Sequence, residues 1–179
     1  MKPKSRVLLA TFYLFCCYAF IFVARDVVLF LRDRNLLRLT VAVIGVLALA
    51  GLYKTIISQW RVSRKLAVQL VLGIGVFYGC ALYYMERPEE RFHYIQYGLL
   101  SPLIIYTAHG FSKKLSSLSY GLLAVLSMVL GAGDEVIQSF VPSRVFEWKD
   151  VFFNVSAAAL GMFFYFLVRY FAKKESKKR

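Results

Sequence analysis

Residues 116–138 read SSLSYGLLAVLSMVLGAGDEVIQ, an apolar run that stops on the carboxylates of Asp134 and Glu135. As a helix, Leu118 to Asp134 covers about 24 Å. That length places both acids near the edge of a hydrocarbon core of about 30 Å. A bare carboxylate there costs several kcal/mol unless something pairs or hydrates it. Nothing in so apolar a chain needs those groups for solubility, so they mark the expected working surface.

Outward from this run, five more apolar segments can be read, at roughly 7–24, 39–57, 66–85, 92–110 and 151–170, the first run itself lying at 116–133. The chain has 179 residues, 59% of them apolar or aromatic, and a mean hydropathy of +0.59. Those figures exclude an ordinary soluble domain. The runs lack the alternation of a membrane barrel. The expected fold is an all-α polytopic membrane bundle of about six transmembrane helices. The net charge of +13 sits between and after the apolar runs, so it reads as a topogenic bias touching anionic lipid rather than a nucleic-acid surface. Lys and Arg number 3, 4, 2 and 6 in 2–6, 54–65, 113–114 and 169–179, against 4, 2 and 2 in 25–38, 87–91 and 144–149. This bias predicts both termini in the cytoplasm of a plasma-membrane protein. Residues 2–6 before Val7 resemble a signal peptide without a small-residue cleavage site, which predicts an uncleaved first span. Cys16, Cys17 and Cys80 lie inside apolar runs without zinc spacing and read as small core fillers.

An even number of crossings separates 86–91 from 134–150, so both emerge on one face whichever way the protein sits. Pro88 with Glu89 and Glu90 behind it is a helix start. Glu89, Glu90, His93 and Tyr97 share one helical face. Pro102 opposes the carbonyl of Gly98 and predicts a kink, while His109 reads as an interfacial residue with no role of its own. Gln138 lies one turn from the two acids if the helix continues through Phe140. Gly131 and Gly133 permit close backbone approach or local unwinding. Pro142 ends that helix and brings Arg144 back towards the acids. In the last run Asp150, Asn154, Ala158 and Gly161 form one stripe, polar above and small below, and Phe146 and Trp148 read as interface anchors.

Three signatures in order resemble the VanZ-like family, named for a teicoplanin-resistance protein: Glu90 to Leu99, Asp134 to Arg144, and Lys149 to Asn154 leading into Gly161. The resemblance covers roughly 66–168. It divides the chain into a two-span extension at 1–65, a four-helix core at 66–172 and a basic cytoplasmic tail at 173–179. Many relatives carry histidine where this chain has Ile137, and glycine where it has Ser143, which weakens a metal held by that helix. No metal ligands are assigned from the sequence, and no cofactor is named. The resemblance implies a cell-envelope role connected with resistance to lipid-bearing glycopeptides.

Two functions follow. In the first, the cluster binds an amphiphile such as a lipid-linked envelope precursor or a lipoglycopeptide, with membrane lipids as neighbours and no nucleic acid as partner. Arg87, Arg91 and Arg144 then take anionic head groups while Asp134, Glu135 and Asp150 orient them, with Tyr97, Gln138 and Asn154 also lining the site. In the second, the protein is a membrane enzyme in which Glu90 or His93 is the general base and Asp134 or Glu135 the acid, with or without a divalent metal. No nucleophile motif is present. A buried ion-pair network that only fixes packing is the bland alternative. Proton translocation fits poorly, because no acid sits at mid-membrane.

Overall fold

The computed structural model describes residues 3–177 except 61, 86, 113 and 142–145, and omits the side chains of 21, 24, 25, 59, 88 and 89. The described residues form helices only: α1 Pro3–Asp33, α2 Leu37–Trp60, α3 Arg64–Tyr84, α4 Pro88–Ala108, α5 Ser117–Gln138 and α6 Trp148–Ser176. Of these, α2, α3, α5 and α6 are long and apolar enough to cross a membrane. Large apolar side chains point outward along the helices, among them Leu8, Leu47 and Leu118. Patches of that kind are not left open to water. The protein is an all-helical membrane protein.

Local chemistry sets where each helix begins and ends. The α1 helix closes in a Schellman motif: Asn35 takes a left-handed φ of 56°, and Leu36 N–H reaches the Leu31 carbonyl at 2.8 Å. Ser63 and Ser116 cap α3 and α5, accepting from the Leu66 and Ser119 amides. Helix α1 outruns its apolar stretch of 7–24 at both ends, because ladder hydrogen bonds continue where hydropathy falls. Helix α6 likewise runs to Ser176, so the expected basic tail from 173 is helical for most of its length. Its Glu175 accepts the Ser63 amide at 2.9 Å and ties the α2–α3 junction. Helix α5 passes Gly131 and Gly133 without unwinding and stops at Gln138, two residues before Phe140. Pro102 lies inside a continuous α4.

Packing is heaviest between α4 and α6, then between α5 and α6, with α1 lying along α4. Small residues make that seam possible. A Cβ on Gly161 would strike the Gly98 carbonyl oxygen and Ser101 Oγ. Ser101 donates to the Ala158 carbonyl at 2.7 Å, and Ala157 and Ala158 are buried. Helices in lipid associate through such close packing, since hydrocarbon competes for apolar contact. Helix α1 is pinned by Tyr13 and Tyr18, which donate to the Gln96 and Leu130 carbonyls at 2.8 and 3.0 Å. Cys17 is buried there, but Cys16 and Cys80 are exposed on the outside of the bundle, so only one of the three fills a core.

The two ends of the bundle differ. At one end Tyr83, Tyr84 and Trp148 stand 77–82% exposed, as an aromatic belt at a lipid–water boundary does. At the other, His109 Nε2 faces Tyr120 Oη at 3.0 Å and Arg169 Nη1 at 2.8 Å, and Arg169 also donates to Tyr120. Its Nδ1 lies 3.3 Å from the Ser112 carbonyl, which fits a neutral ring protonated at Nδ1. His109 is therefore more than an interfacial residue, because it ties α4, α5 and α6 together. Burial, and secondarily Arg169, hold its imidazole below the usual 6.5. The unfolded chain takes a proton that the folded chain resists, so stability present above about pH 6.5 is lost as pH falls. His109→Gln is expected to flatten the decline in melting temperature between about pH 7 and about pH 5. An unchanged pH profile would remove His109 from this role.

Candidate functional site

The start of α4, the end of α5 and the start of α6 converge at the aromatic end of the bundle. Three contacts between charged groups define the meeting. Arg87 Nη1 lies 2.5 Å from Glu147 Oε1, Lys149 Nζ lies 2.9 Å from Glu90 Oε1, and His93 Nδ1 lies 3.0 Å from Asp134 Oδ2. The first pair is exposed and forms a rim. The last is buried, Asp134 completely so.

Helix α5 presents Asp134, Glu135 and Gln138 inward because residues one and four apart fall within one broad face. Gln138 Nε2 donates to Asp134 Oδ2 at 2.8 Å. Helix α6 approaches closely where α5 has no side chain: a Cβ on Gly131 would meet Asn154 Cβ at 3.2 Å, and Asn154 Nδ2 donates to the Gly131 carbonyl at 3.0 Å. Tyr97 is wholly buried, and its ring lies parallel to that of His93, with centroids 6.4 Å apart and 2° between planes. That arrangement fixes the plane of the imidazole.

Acceptors crowd the interior of this nest. Asp134 Oδ1, Glu135 Oε1, Asp150 Oδ1 and Asn154 Oδ1 are closed off from solvent and receive no hydrogen bond among the described residues. A ring nitrogen of His93 and carboxylate oxygens of Asp134 and Glu135 lie within 4.8 Å of one another. The arrangement can hold a cation, accept hydrogen bonds from a donor-rich group, or pass a proton between imidazole and carboxylate.

The residues expected at the site differ in what engages them. Glu90 lies at the edge of the nest with both oxygens engaged: Oε2 accepts the Arg87 amide at 3.3 Å and Oε1 faces Lys149. This is helix-start chemistry. Arg91 turns back to the Met85 carbonyl, through Nη2 at 2.8 Å and Nε at 3.3 Å, and Arg87 is engaged by Glu147. Neither is turned to an anionic head group. Arg144, with Pro142 and Ser143, lies outside the described residues, as do Glu86 and the Glu89 side chain. Sequence reasoning misses Lys149 as the partner of Glu90, although its place one residue before Asp150 is a signal. Cys17 and Tyr18 on α1 lie near Asp134 and carry no signal beyond thiol and aromatic side chains in an apolar run.

A separate apolar cleft of about 410 Å³ opens between α2, α3, α4 and α6. Its α4 residues Ile95, Gly98, Leu99 and Pro102 occupy the opposite face of that helix from Glu90, His93 and Tyr97. The cleft is therefore not part of the nest.

Searches of curated proteins and of solved structures return no match. A family model described as VanZ/LLP1 matches residues 10–169, so it takes in most of α1 and the whole of α2 as well as the stretch that carries the three signatures. With the nest assembled from those signatures on an all-helical membrane scaffold, this chain belongs to the VanZ/LLP1 family.

Proposed function

We propose that this VanZ-type protein crosses the bacterial plasma membrane six times, with both termini in the cytoplasm, and that its outward-facing nest binds the polar head of an amphiphilic envelope ligand. Helices α1 and α4 complete the six crossings, and the aromatic belt formed by Tyr83, Tyr84 and Trp148 supports a lipid–water boundary at the nest. One observation carries the reading: four buried oxygens in the nest receive no hydrogen bond among the described residues, with the buried Tyr97 hydroxyl beside Asp134 also unpaired. Such atoms each cost about 1–3 kcal/mol, more when charged, unless a ligand satisfies them. The head group that suits them brings hydroxyl or ammonium donors, as a sugar or an amine does. A bare phosphate would meet like charge. This chemistry fits a lipid-linked wall component or a lipoglycopeptide of the teicoplanin type.

Cells with the protein are expected to tolerate teicoplanin several-fold better than cells lacking it, and gently purified protein is expected to retain an amphiphile. Equal susceptibility together with lipid-free protein sinks the reading.

A second reading rests on the 3.0 Å contact between His93 and Asp134. Asp134 orients the imidazole as a general base, and Glu135 supplies a proton to a lipid-linked substrate. Turnover of envelope lipids by wild type but not by Glu135→Gln favours it; equal turnover removes it.

A further inference from the structure

We propose that His93, Asp134 and Glu135 form a binding site for a divalent transition-metal ion, Zn²⁺ or Mn²⁺ in type. The site uses residues of the amphiphile-binding nest, yet it stands without that reading, since an ion can bind whether or not a lipid follows.

Three observations converge on it. The first is the donor set: one imidazole nitrogen and two carboxylate oxygens within 4.8 Å of one another, from two helices. Ligands at about 2.1 Å around one ion lie at most about 4.2 Å apart, so shifts well under an ångström close the site. Nitrogen with oxygen, and no sulfur, suits Zn²⁺ or Mn²⁺.

The second is what remains unsatisfied. Asp134 and Glu135 are 0% and 1% exposed, and Asp134 Oδ1 and Glu135 Oε1 receive no hydrogen bond among the described residues. The other Asp134 oxygen accepts from Gln138 and lies 3.0 Å from His93 Nδ1. One oxygen of each carboxylate is therefore held in reserve, while the bonds to Gln138 and the stacked Tyr97 ring hold the ligands in place. Metal sites are supported in this way by partners of their ligands.

The third is charge. The outer acids are matched, Glu90 by Lys149 and Glu147 by Arg87. Among the described residues, no Lys or Arg forms an ion pair with Asp134, Glu135 or Asp150; His93 faces Asp134, and Arg87, already paired with Glu147, acts on Asp150 only from a distance. Three carboxylates against one imidazole leave a net negative interior that a divalent ion offsets.

The test is metal analysis of the full chain purified in detergent without added lipid. Wild type is expected to carry about one Zn²⁺ or Mn²⁺ per chain. A chelator should lower its melting temperature, and readdition of Zn²⁺ or Mn²⁺ should restore it. Glu135→Gln and His93→Gln should bind the ion about tenfold or more weakly, while Tyr83→Phe, on the exposed outside of the bundle, matches wild type. Should those variants fail to fold, the chelator and readdition shifts of wild type decide alone. Ion content at background with no chelator shift overturns the proposal, as does equal content in folded Glu135→Gln. A metal-free wild type destabilised by Arg144→Gln also overturns it and assigns the charge balance to that arginine. A metal-loaded chain that retains no amphiphile and leaves teicoplanin susceptibility unchanged removes the amphiphile reading and keeps this one.

Discussion

Gly161→Ala is expected to be among the most destabilising small substitutions in this chain, at about 3 kcal/mol, the upper end of what overpacking usually costs. The added Cβ falls on the Gly98 carbonyl oxygen and on Ser101 Oγ. A backbone carbonyl cannot rotate away, so α4 and α6 must separate along their whole seam. That separation also stretches the 2.7 Å bond from Ser101 to the Ala158 carbonyl. Two other glycines serve as internal controls. At Gly98 the new Cβ meets the hydroxyl and ring edge of Tyr78, a side chain bordering the apolar cleft rather than backbone. At Gly131 it meets Asn154 Cβ at 3.2 Å, which a shift of a few tenths of an ångström relieves. The expected order of melting temperatures in detergent is therefore Gly131→Ala and Gly98→Ala above Gly161→Ala. A Gly161→Ala protein that elutes and melts like wild type would show that the seam is looser than its contacts imply.

Run length makes the helices legible. Hydropathy marks the middle of a span because lipid demands it there, and says little about the ends, where α1 gains residues on both sides and α6 carries Lys173 and Lys174 within its last turns. Parity of crossings is enough to bring 86–91 and 134–150 to one end, since it needs no side-chain detail. Helical periodicity then puts His93 and Tyr97 on one face of α4 and Gln138 one turn from Asp134. What periodicity cannot supply is the fate of each polar atom. Arg91 turning back to Met85 and Lys149 reaching Glu90 depend on rotamers and on how the α4 and α6 starts face each other. The tie of His109, Tyr120 and Arg169 is hidden for the same reason. Its one sequence signal is Arg169, a charge inside the last apolar run, which asks for a partner within the bundle. Helices α1 and α2 carry no motif to link them to the rest, yet α1 brings Cys17 and Tyr18 near Asp134.

Glu135→Gln is expected to abolish the function of the nest and, with chelator present, to raise the melting temperature by several degrees. Glutamine keeps the size of the side chain and removes one of three carboxylates that face each other around His93. With no ion to offset them, buried like charges cost stability, and removing one of them relieves that repulsion. The amide also brings two donors to a region where Asp134 Oδ1 and Asp150 Oδ1 have none among the described residues. The same donors would compete for the acceptors that a cation or a hydroxyl-bearing head group uses, so retained amphiphile and teicoplanin tolerance should both fall to the level of cells without the protein. A packing role for Glu135 predicts the reverse pair of outcomes, lower stability and intact phenotype. Asp134→Asn sharpens the contrast, because Asp134 Oδ2 already accepts from Gln138 at 2.8 Å and faces His93. There the new NH₂ group must either displace Gln138 or point at the unpaired side, and its stability gain should be smaller than that of Glu135→Gln. If both variants melt below wild type in chelator while the cells keep their tolerance, the nest is a structural ion cluster and its unsatisfied oxygens serve the fold alone.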